Sequence, residues 1–266
     1  MVNVSRAMNR PYILLTNDDG VDSLGLLALK QTLQEVGEVV VIAPDHNWSA
    51  AGHTKTMHKP LRVEEVKLAD GSLAYASNGA PSDCVALGVL GFLERKPDLV
   101  ISGINEGPNL GHDITYSGTV AAAMEGVIAG IPSIAVSLAD YEVGLESEAF
   151  SYAAQFTARL AKSVLAEGLR GDLLLNVNVP NLPREEIRGV GITRLGKRIY
   201  KDVLIKRQDP RGRTYYWIGG EPPTGVAEEG TDIWAIVEKR ISITPIKLDL
   251  TEHGLIERLR GWRLEV

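Results

Sequence analysis

The fold is decided by the stretch YILLTNDDG at residues 12–20. Its first five residues form a short, mostly apolar run, which predicts a strand buried inside a sheet. The remaining four are polar turn residues, so the strand ends in a turn that begins at Asn17. The strand therefore delivers two acidic side chains, Asp18 and Asp19, to the edge of the predicted sheet.

The alternation of apolar runs with segments of helical spacing continues outward from this strand. Leu26, Leu29 and Leu33 fall at helical spacing, and Gly37 predicts the end of that helix. Further strands are predicted at residues 39–43, 98–103, 133–137 and 173–177, and further helices at residues 81–93, 119–130 and 150–165. Buried strands alternating with helices predict an α/β fold with a mostly parallel sheet covered on both faces.

The pattern changes after about Asn181. Residues 199–217 alternate like strands around the turn DPRG at 209–212, which predicts a β-hairpin arm. A segment at 233–246 and a short C-terminal helix near 255–259 follow. We therefore expect a catalytic core at residues 1–185, a β-rich arm or oligomerisation region at 186–250, and a C-terminal helix at 251–266. Residues 197–213 contain seven basic and two acidic side chains, a local net charge of +5.

Composition excludes several classes of protein. With 44% hydrophobic and 23% charged residues among 266, the chain is typical of a globular protein rather than a disordered one. A net charge of −6 makes it a poor ligand for a nucleic-acid polymer. Cys84 is the only cysteine, so no intrachain disulfide is possible, and its apolar surroundings predict a core position. Residues 1–10 lack a signal-peptide pattern, and no apolar run approaches the roughly 20 residues that span a bilayer, so we expect a soluble, cytoplasmic protein without membrane contact.

Chemistry is expected where strands end, because ligands of open parallel sheets bind at the carboxyl edge. Asp18 and Asp19 repel one another unless a positive charge lies nearby. Hard cations such as Mg²⁺ or Mn²⁺ prefer oxygen ligands of this kind. The pair taken alone fits either a metal site or a solvated turn.

Two more polar clusters follow the second and third predicted strands, PDHNWSAAG at 44–52 and SGINEGPNLG at 102–111. Asn105 or Asn109 in the latter could offer an amide oxygen to a metal. Ser117, Gly118 and Thr119 then precede a helix, whose free N–H groups favour phosphate, although both hydroxyls also suit simple capping. Together the clusters indicate metal-assisted phosphoryl transfer.

Common alternatives lack their motifs. No G-x-G-x-x-G follows the first strand, which disfavours dinucleotide binding, and no G-x-S-x-G is present for an α/β-hydrolase serine. His46, His53 and His58 lie in one polar segment without a helical metal-binding spacing, so we expect loop residues, of which His46 could act as an acid or base.

Four separated motifs resemble the SurE family of stationary-phase survival proteins, which are metal-dependent 5′/3′-nucleotidases. They are ILLTNDDG at 13–20, the loop at 44–49, SGIN at 102–105 with Asn109 and Gly111, and YSGTVAAAMEG at 116–126. The resemblance covers the N-terminal two-thirds of the chain. His46 stands where the family often has arginine, and Ala80 where it often has threonine, which concerns substrate preference more than the metal site.

This resemblance implies a Rossmann-like core and one divalent ion, Mg²⁺ or Mn²⁺. The matching metal ligands are Asp18, Asp19, Ser49 and Asn105. It also implies hydrolysis of nucleoside monophosphates, exopolyphosphatase activity in some members, and an arm that is often exchanged within a homodimer or homotetramer. The expected enzyme is a 5′-nucleotidase or acid-phosphatase-type phosphoric monoester hydrolase.

We therefore predict a site in which each residue has a role. The catalytic residues are Asp18, Asp19 and Asn105, and the phosphate-binding residues are Asn17, Asn109, Ser117, Gly118 and Thr119. Two alternatives remain open. Asp18 could be a covalent nucleophile, as in phosphatases that form an aspartyl-phosphate, although those enzymes space their acidic pair as D-x-D. The chain could also be a non-catalytic nucleotide-binding regulator.

Overall fold

A computed structural model describes residues 10–139, 147–168 and 172–263. The polar N-terminal segment considered above lies outside these residues except for Arg10. The strands in the described part are β1 Tyr12–Thr16, β2 Glu38–Pro44, β3 Val63–Lys67, β4 Leu73–Ser77, β5 Leu99–Glu106, β6 Ser133–Ala139, β7 Leu173–Pro180, β8 Val190–Ile192, β9 Arg198–Gln208, β10 Thr214–Gly225 and β11 Ile241–Lys247. The helices there are α1 Leu24–Leu33, α2 Pro81–Leu87, α3 Gly118–Ile128, α4 Ser147–Glu167, α5 Asp232–Val237 and α6 His253–Arg260.

Within these residues, nine strands form one sheet in the order β3-β4-β2-β1-β5-β6-β7-β11-β8. The strands from β4 to β7 run parallel, whereas β3 and β11 pair antiparallel with β4 and β7. This confirms the predicted α/β class, with a mostly parallel sheet flanked by helices and a C-terminal hairpin. Two strands of the 186–250 segment, β8 and β11, extend the sheet of the core, and the boundary at residue 185 stays a prediction.

The central strand β1 buries side chains on both faces, as its continuous apolar run predicted. Ile13 and Leu15 pack with α1 and α4, and Leu14 packs on the opposite face toward α2 and α3. Cys84 lies in that second cluster and is fully buried, which confirms its core position, and burial raises the pKa of its thiol. The core therefore fixes β1 from both sides, directly below Asp18 and Asp19.

Several boundaries differ from the sequence prediction. Helix α1 ends at Leu33, and residues 34–37 form a turn. Helix α2 ends at Leu87, and a π turn at Gly88–Phe92 follows, in which Gly91 has a φ of 119° that glycine adopts readily. Strand β5 continues to Glu106, so Asn105 lies on a strand end and not in the loop after it.

The hairpin of β3 and β4 lies in a segment from which no strand was predicted. It forms one edge of the sheet, and Glu64 and Glu65 of β3 are exposed, so the sequence lacks the apolar alternation of an interior strand. The segment at 233–246 likewise divides into α5 and β11.

The predicted arm is a separate two-stranded ribbon of β9 and β10. It is longer than predicted and reaches Gly225, with Ile205 opposite Trp217 and Arg207 opposite Tyr215. The Asp209 carboxylate accepts hydrogen bonds from the N–H groups of Arg211 and Arg213, which closes the turn. No helix in the described ranges is long and apolar enough to cross a membrane.

Candidate active site

One loop, one strand end and one helix start meet at the turn that follows β1. The N–H of Trp48 donates to the carbonyl of Asp18 at 2.7 Å, which holds the loop after β2 against the turn. The N–H of Glu106 donates to Asp19 Oδ2 at 3.3 Å, and this contact brings the end of β5 to the same place. The hydroxyl of Thr119 donates to Asp18 Oδ1, which adds the start of α3. Segments about 100 residues apart in sequence, 18–19 and 118–119, thus converge on two adjacent carboxylates.

Asp18 is almost completely buried, with 3% of its surface exposed. Burial raises the pKa of its carboxyl group, and hydrogen bonds from Thr119 and from the backbone N–H groups of Gly118 and Thr119 oppose that shift. A Cβ atom on Gly118 would lie 2.8 Å from Asp18 Oδ2, so only glycine lets the helix come this close. The Asp18 carboxylate therefore lies against the N-terminus of α3, as an anion does at a helix start.

Asp19 is less deeply buried than its neighbour. Burial raises its pKa to about 7, and the negative charge of Asp18 acts in the same direction. In the described part of the chain, neither carboxylate forms an ion pair with lysine, arginine or histidine. Two adjacent, largely desolvated carboxylates without a cationic partner are stabilised by a bound cation.

The two other predicted metal ligands lie on segments that contact this turn, Ser49 on the loop after β2 and Asn105 on the end of β5. Ser49 follows Trp48 and is exposed, and its N–H and hydroxyl both donate to Asn47 Oδ1, at 2.7 and 2.6 Å. Asn105 precedes Glu106 and donates its side-chain N–H to the carbonyl of Gly107 at 2.7 Å. Both residues keep an oxygen that can act as a ligand, the hydroxyl of Ser49 and the amide Oδ1 of Asn105.

Asn17 and Asn109 use their amide donors inside the protein. Asn17 donates to the carbonyl of Gly20 at 2.9 Å and to Ser23 Oγ at 2.7 Å, and its buried Oδ1 has no hydrogen-bond partner in the described ranges. Asn109 is buried and donates to Ser137 Oγ at 2.8 Å. Binding of phosphate by either amide donor would require these bonds to open, and this part of the prediction stays a prediction.

Ser117 and Thr119 have different tasks at the start of α3. Ser117 accepts a hydrogen bond from the N–H of Val120 at 3.1 Å and is the N-cap of the helix. Thr119 does not cap, because its hydroxyl is bonded to Asp18. The N–H groups of Gly118 and Thr119 are directed at the Asp18 carboxylate, so phosphate binding at this helix start stays a prediction.

A buried carboxylate that sequence reasoning missed holds the loop after β2. Glu125 on α3 is 7% exposed and contacts His53 Nε2 and Lys55 Nζ, both at 3.1 Å. The N–H of Gly52 donates to the carbonyl of Tyr116 at 2.9 Å. Glu125 sits within the alanine-rich segment of α3, and only the fold reveals its partners about 70 residues earlier.

His46 is an exposed residue of the same loop. Its Nδ1 contacts the Asp45 carboxylate, its ring centroid lies 5.2 Å from that of Trp48, and its side chain is 60% exposed. In the described ranges, no three histidine, cysteine, aspartate or glutamate side chains cluster as metal ligands. That finding is compatible with the predicted set, because two of its four members are serine and asparagine.

Comparison with protein families adds an independent finding to this geometry. The family model described as "Survival protein SurE" matches residues 13–202. The chain belongs to the SurE family. The resemblance inferred from the four motifs is therefore confirmed.

SurE relatives match nearly the whole chain. A 5′-nucleotidase SurE of Herpetosiphon aurantiacus is 55% identical over 248 residues, which are 93% of this chain and 96% of that protein. A 5′-nucleotidase SurE of Chloroflexus aggregans is 53% identical over 254 residues, 96% of this chain and 100% of that protein. The crystal structure of the SurE protein from Aquifex aeolicus is 47% identical, with a TM-score of 0.80, and the match covers 94% of this chain and 98% of that chain. At the level of the family, the expected enzyme class is confirmed.

Proposed function

We propose that the chain is a divalent-metal-dependent phosphomonoester hydrolase that releases phosphate from nucleoside 5′-monophosphates. The observation that carries the proposal is the pair Asp18 and Asp19, which touches the loop after β2, the end of β5 and the N-terminus of α3. An acidic pair directly beside a helix start places a cation site next to the positive end of a helix dipole, which favours an anion. Phosphoryl transfer uses both.

The residues present fit one Mg²⁺ or Mn²⁺ ion. Asp18, Asp19, Ser49 and Asn105 offer two carboxylates, a hydroxyl and an amide oxygen, which are hard ligands suited to these cations. Burial raises the pKa of Asp19 and the negative charge of Asp18 raises it further, which is the electrostatic situation that a bound cation would relieve. When bound, the ion would supply positive charge at a phosphate oxygen and make water more acidic.

The protein's own groups would bind and orient the phosphate. The positive end of the α3 dipole would favour the phosphate, with Ser117 and Thr119 fixing the geometry of the helix start, while the N–H groups of Gly118 and Thr119 hold the Asp18 carboxylate. Thr119 also holds the Asp18 carboxylate in one orientation. Asn17 and Asn109 would act mainly by holding their own loops, since their amide donors are bonded within the protein.

The substrate class rests on the named activity of the relatives, together with this site. We extend the proposal to nucleoside 3′-monophosphates and polyphosphate on the family resemblance, and to a cytoplasmic location. We expect base preference to depend on exposed residues of the loop after β2, such as His46.

A phosphate-release screen tests the proposal. Nucleoside 5′- and 3′-monophosphates and polyphosphate are each assayed with Mg²⁺, with Mn²⁺ and with a chelator. We expect release from the 5′-monophosphates that stops with chelator and returns with added metal. Tight nucleotide binding without release would favour a non-catalytic regulator, and an aspartyl-phosphate trapped on Asp18 would replace the proposed mechanism.

We also propose that the hairpin arm joins copies of this chain into a homodimer or homotetramer. Large apolar side chains on both faces of the ribbon are exposed, among them Leu204 at 65%, Trp217 at 63% and Ile218 at 80%. A ribbon this apolar on both faces is unusual for a free surface. Its basic side chains would suit an acidic surface on the partner copy.

Charge placed in the ribbon should separate the copies. Ile205 and Trp217 are cross-strand neighbours on one face, so a double change to glutamate adds two charges there without opening the core. In light scattering, we expect at least a dimer for the wild-type chain and a monomer for this variant. Leu73→Glu at the opposite edge of the sheet is the matched control and should not change the mass. A monomeric wild-type protein would contradict the prediction.

A further inference from the structure

The loop between β5 and α3 is fixed at alternate residues. The N–H of Gly107 donates to the carbonyl of Leu138 at 3.1 Å, and the N–H of Gly111 donates to Asp232 Oδ2 at 2.8 Å. Between these points lies Asn109, whose backbone receives more contacts than either. The loop directly follows β5, whose end carries Asn105, and leads to Ser117, so its conformation sets the position of residues at both ends.

Two asparagines of β7 hold the backbone of Asn109. The side chain of Asn178 accepts from the Asn109 N–H at 2.8 Å and donates to the Asn109 carbonyl at 3.0 Å. The side chain of Asn176 donates to the same carbonyl at 2.8 Å. Asn178 therefore pairs with this residue as a neighbouring strand would, through one donor and one acceptor.

The clamp lies completely inside the protein. Asn176, Asn178 and Ser137 are each 0% exposed, and Ser137 of β6 stands opposite Asn178 of β7 in the sheet register. Ser137 accepts the side-chain bond of Asn109, so backbone and side chain of that residue are both fixed. Buried amides of this kind hold a group in one place because leaving them unpaired is costly.

Packing alone would favour apolar residues at these positions. Leu174 lies on the same face of β7, near the start of the strand, in an apolar cluster with Val120 and Ala135. Asn176 Oδ1 has no hydrogen-bond partner within the described residues, so this amide is buried with one polar atom unsatisfied. A buried asparagine with an unsatisfied polar atom is costly, so its hydrogen bond to the loop indicates that it positions the loop.

We propose that Asn178, assisted by Asn176, is a positioning residue for the candidate active site. Acting through the backbone of Asn109, it holds the loop so that Asn105 faces the acidic pair and Ser117 begins α3 at the correct place. The effects on catalysis and on metal binding rest on the proposed function, whereas the effect on the loop does not.

Two variants of Asn178 test the role. Asn178→Asp keeps the shape and the acceptor for the Asn109 N–H but loses the donor to its carbonyl, and Asn178→Leu loses both. We expect Mn²⁺ affinity, measured by calorimetric titration, to fall roughly 10-fold, and kcat/KM to fall between about 10- and 100-fold. Amide hydrogen exchange at residues 105–111 should become faster in both variants.

Val177→Ala is the matched control. Val177 lies between the two asparagines, is fully buried and points to the opposite face, into the cluster with α1 and α4. It should lower thermal stability while Mn²⁺ affinity and loop exchange stay at wild-type values. Asn178 variants that lose stability in the same way, with unchanged Mn²⁺ affinity and unchanged loop exchange, would overturn the proposal.

The wild-type protein supplies a measurement that does not depend on variants folding. The amide of Asn109 should exchange as slowly as those of β6, and fast exchange at Asn109 would also overturn the proposal. If the wild-type chain binds Mn²⁺ but releases no phosphate from any substrate, the proposed function fails. The ratio of Mn²⁺ affinities between wild type and Asn178→Asp then still decides the positioning role.

Discussion

Asp18→Asn and Asp19→Asn are each expected to lower metal-dependent phosphate release by about 1,000-fold, because each removes one of the two carboxylates that are proposed to bind the metal ion. Mn²⁺ binding should weaken in parallel. Asparagine keeps the shape of the side chain, and at position 18 its amide oxygen can still accept the Thr119 hydroxyl. The loss would therefore follow from charge and not from a gap in the structure. Near-normal hydrolysis in both variants would contradict the metal mechanism.

Asp19→Asn is expected to stabilise the metal-free protein although it lowers activity. The pKa of Asp19 is raised from 3.8 to about 7 in the folded chain, mainly by burial, so folding favours its protonated form. The metal-free protein then loses folding free energy as the pH rises through that range. Asp19→Asn removes this loss and should raise the melting temperature of metal-free protein at pH 8. Asp22→Asn, an exposed change just beyond the same turn, is the control and should leave activity and stability unchanged.

Gly118→Ala is expected to lower kcat/KM by about 100-fold through displacement of a carboxylate by a fraction of an ångström to about 1 Å. The added Cβ would lie 2.8 Å from both Cβ and Oδ2 of Asp18, closer than real Cβ contacts come. Since β1 is held on both faces by the core, the side chain of Asp18 and the helix start must shift instead. Steady-state kinetics with a nucleoside 5′-monophosphate and Mn²⁺ measures the effect.

Gly191→Ala is the matched control for that change. Its Cβ would meet Thr193 Cγ2 at 3.5 Å, an ordinary contact, and it lies on β8 near the end of the sheet. It should retain wild-type kinetics. If Gly118→Ala also retains them, the close approach of α3 to Asp18 is not needed for activity.

Sequence reasoning was effective where burial follows a simple period. The apolar run of β1 predicted a strand buried on both faces, and the paired aspartates after it predicted the point where loops converge. The hairpin of β9 and β10 was predicted from its alternation and the turn at 209–212. These features are local, because each depends on neighbours within a few residues.

The same sequence patterns do not predict which distant residues form hydrogen bonds with one another. Nothing local to Asn178 indicates that its amide holds the backbone of Asn109, which lies 69 residues earlier. The contact of Glu125 with His53 likewise joins residues far apart in the sequence. The β3–β4 hairpin was not predicted because an exposed edge strand has little apolar alternation. For Asn17 and Asn109, residue type suggested phosphate donors, the fold bonds those donors internally, and phosphate binding by them stays a prediction.

The attachment of the acidic pair to β1 has a consequence for local opening of the protein. Exposing Asp18 to solvent would require separating α3 from the central strand, an opening that costs a large share of the global unfolding free energy. Ser49, by contrast, is exposed, and its N–H and hydroxyl are bonded within its own loop, to Asn47 Oδ1. The proposed ligand set therefore combines a carboxylate that the core encloses with a hydroxyl that stays in contact with solvent.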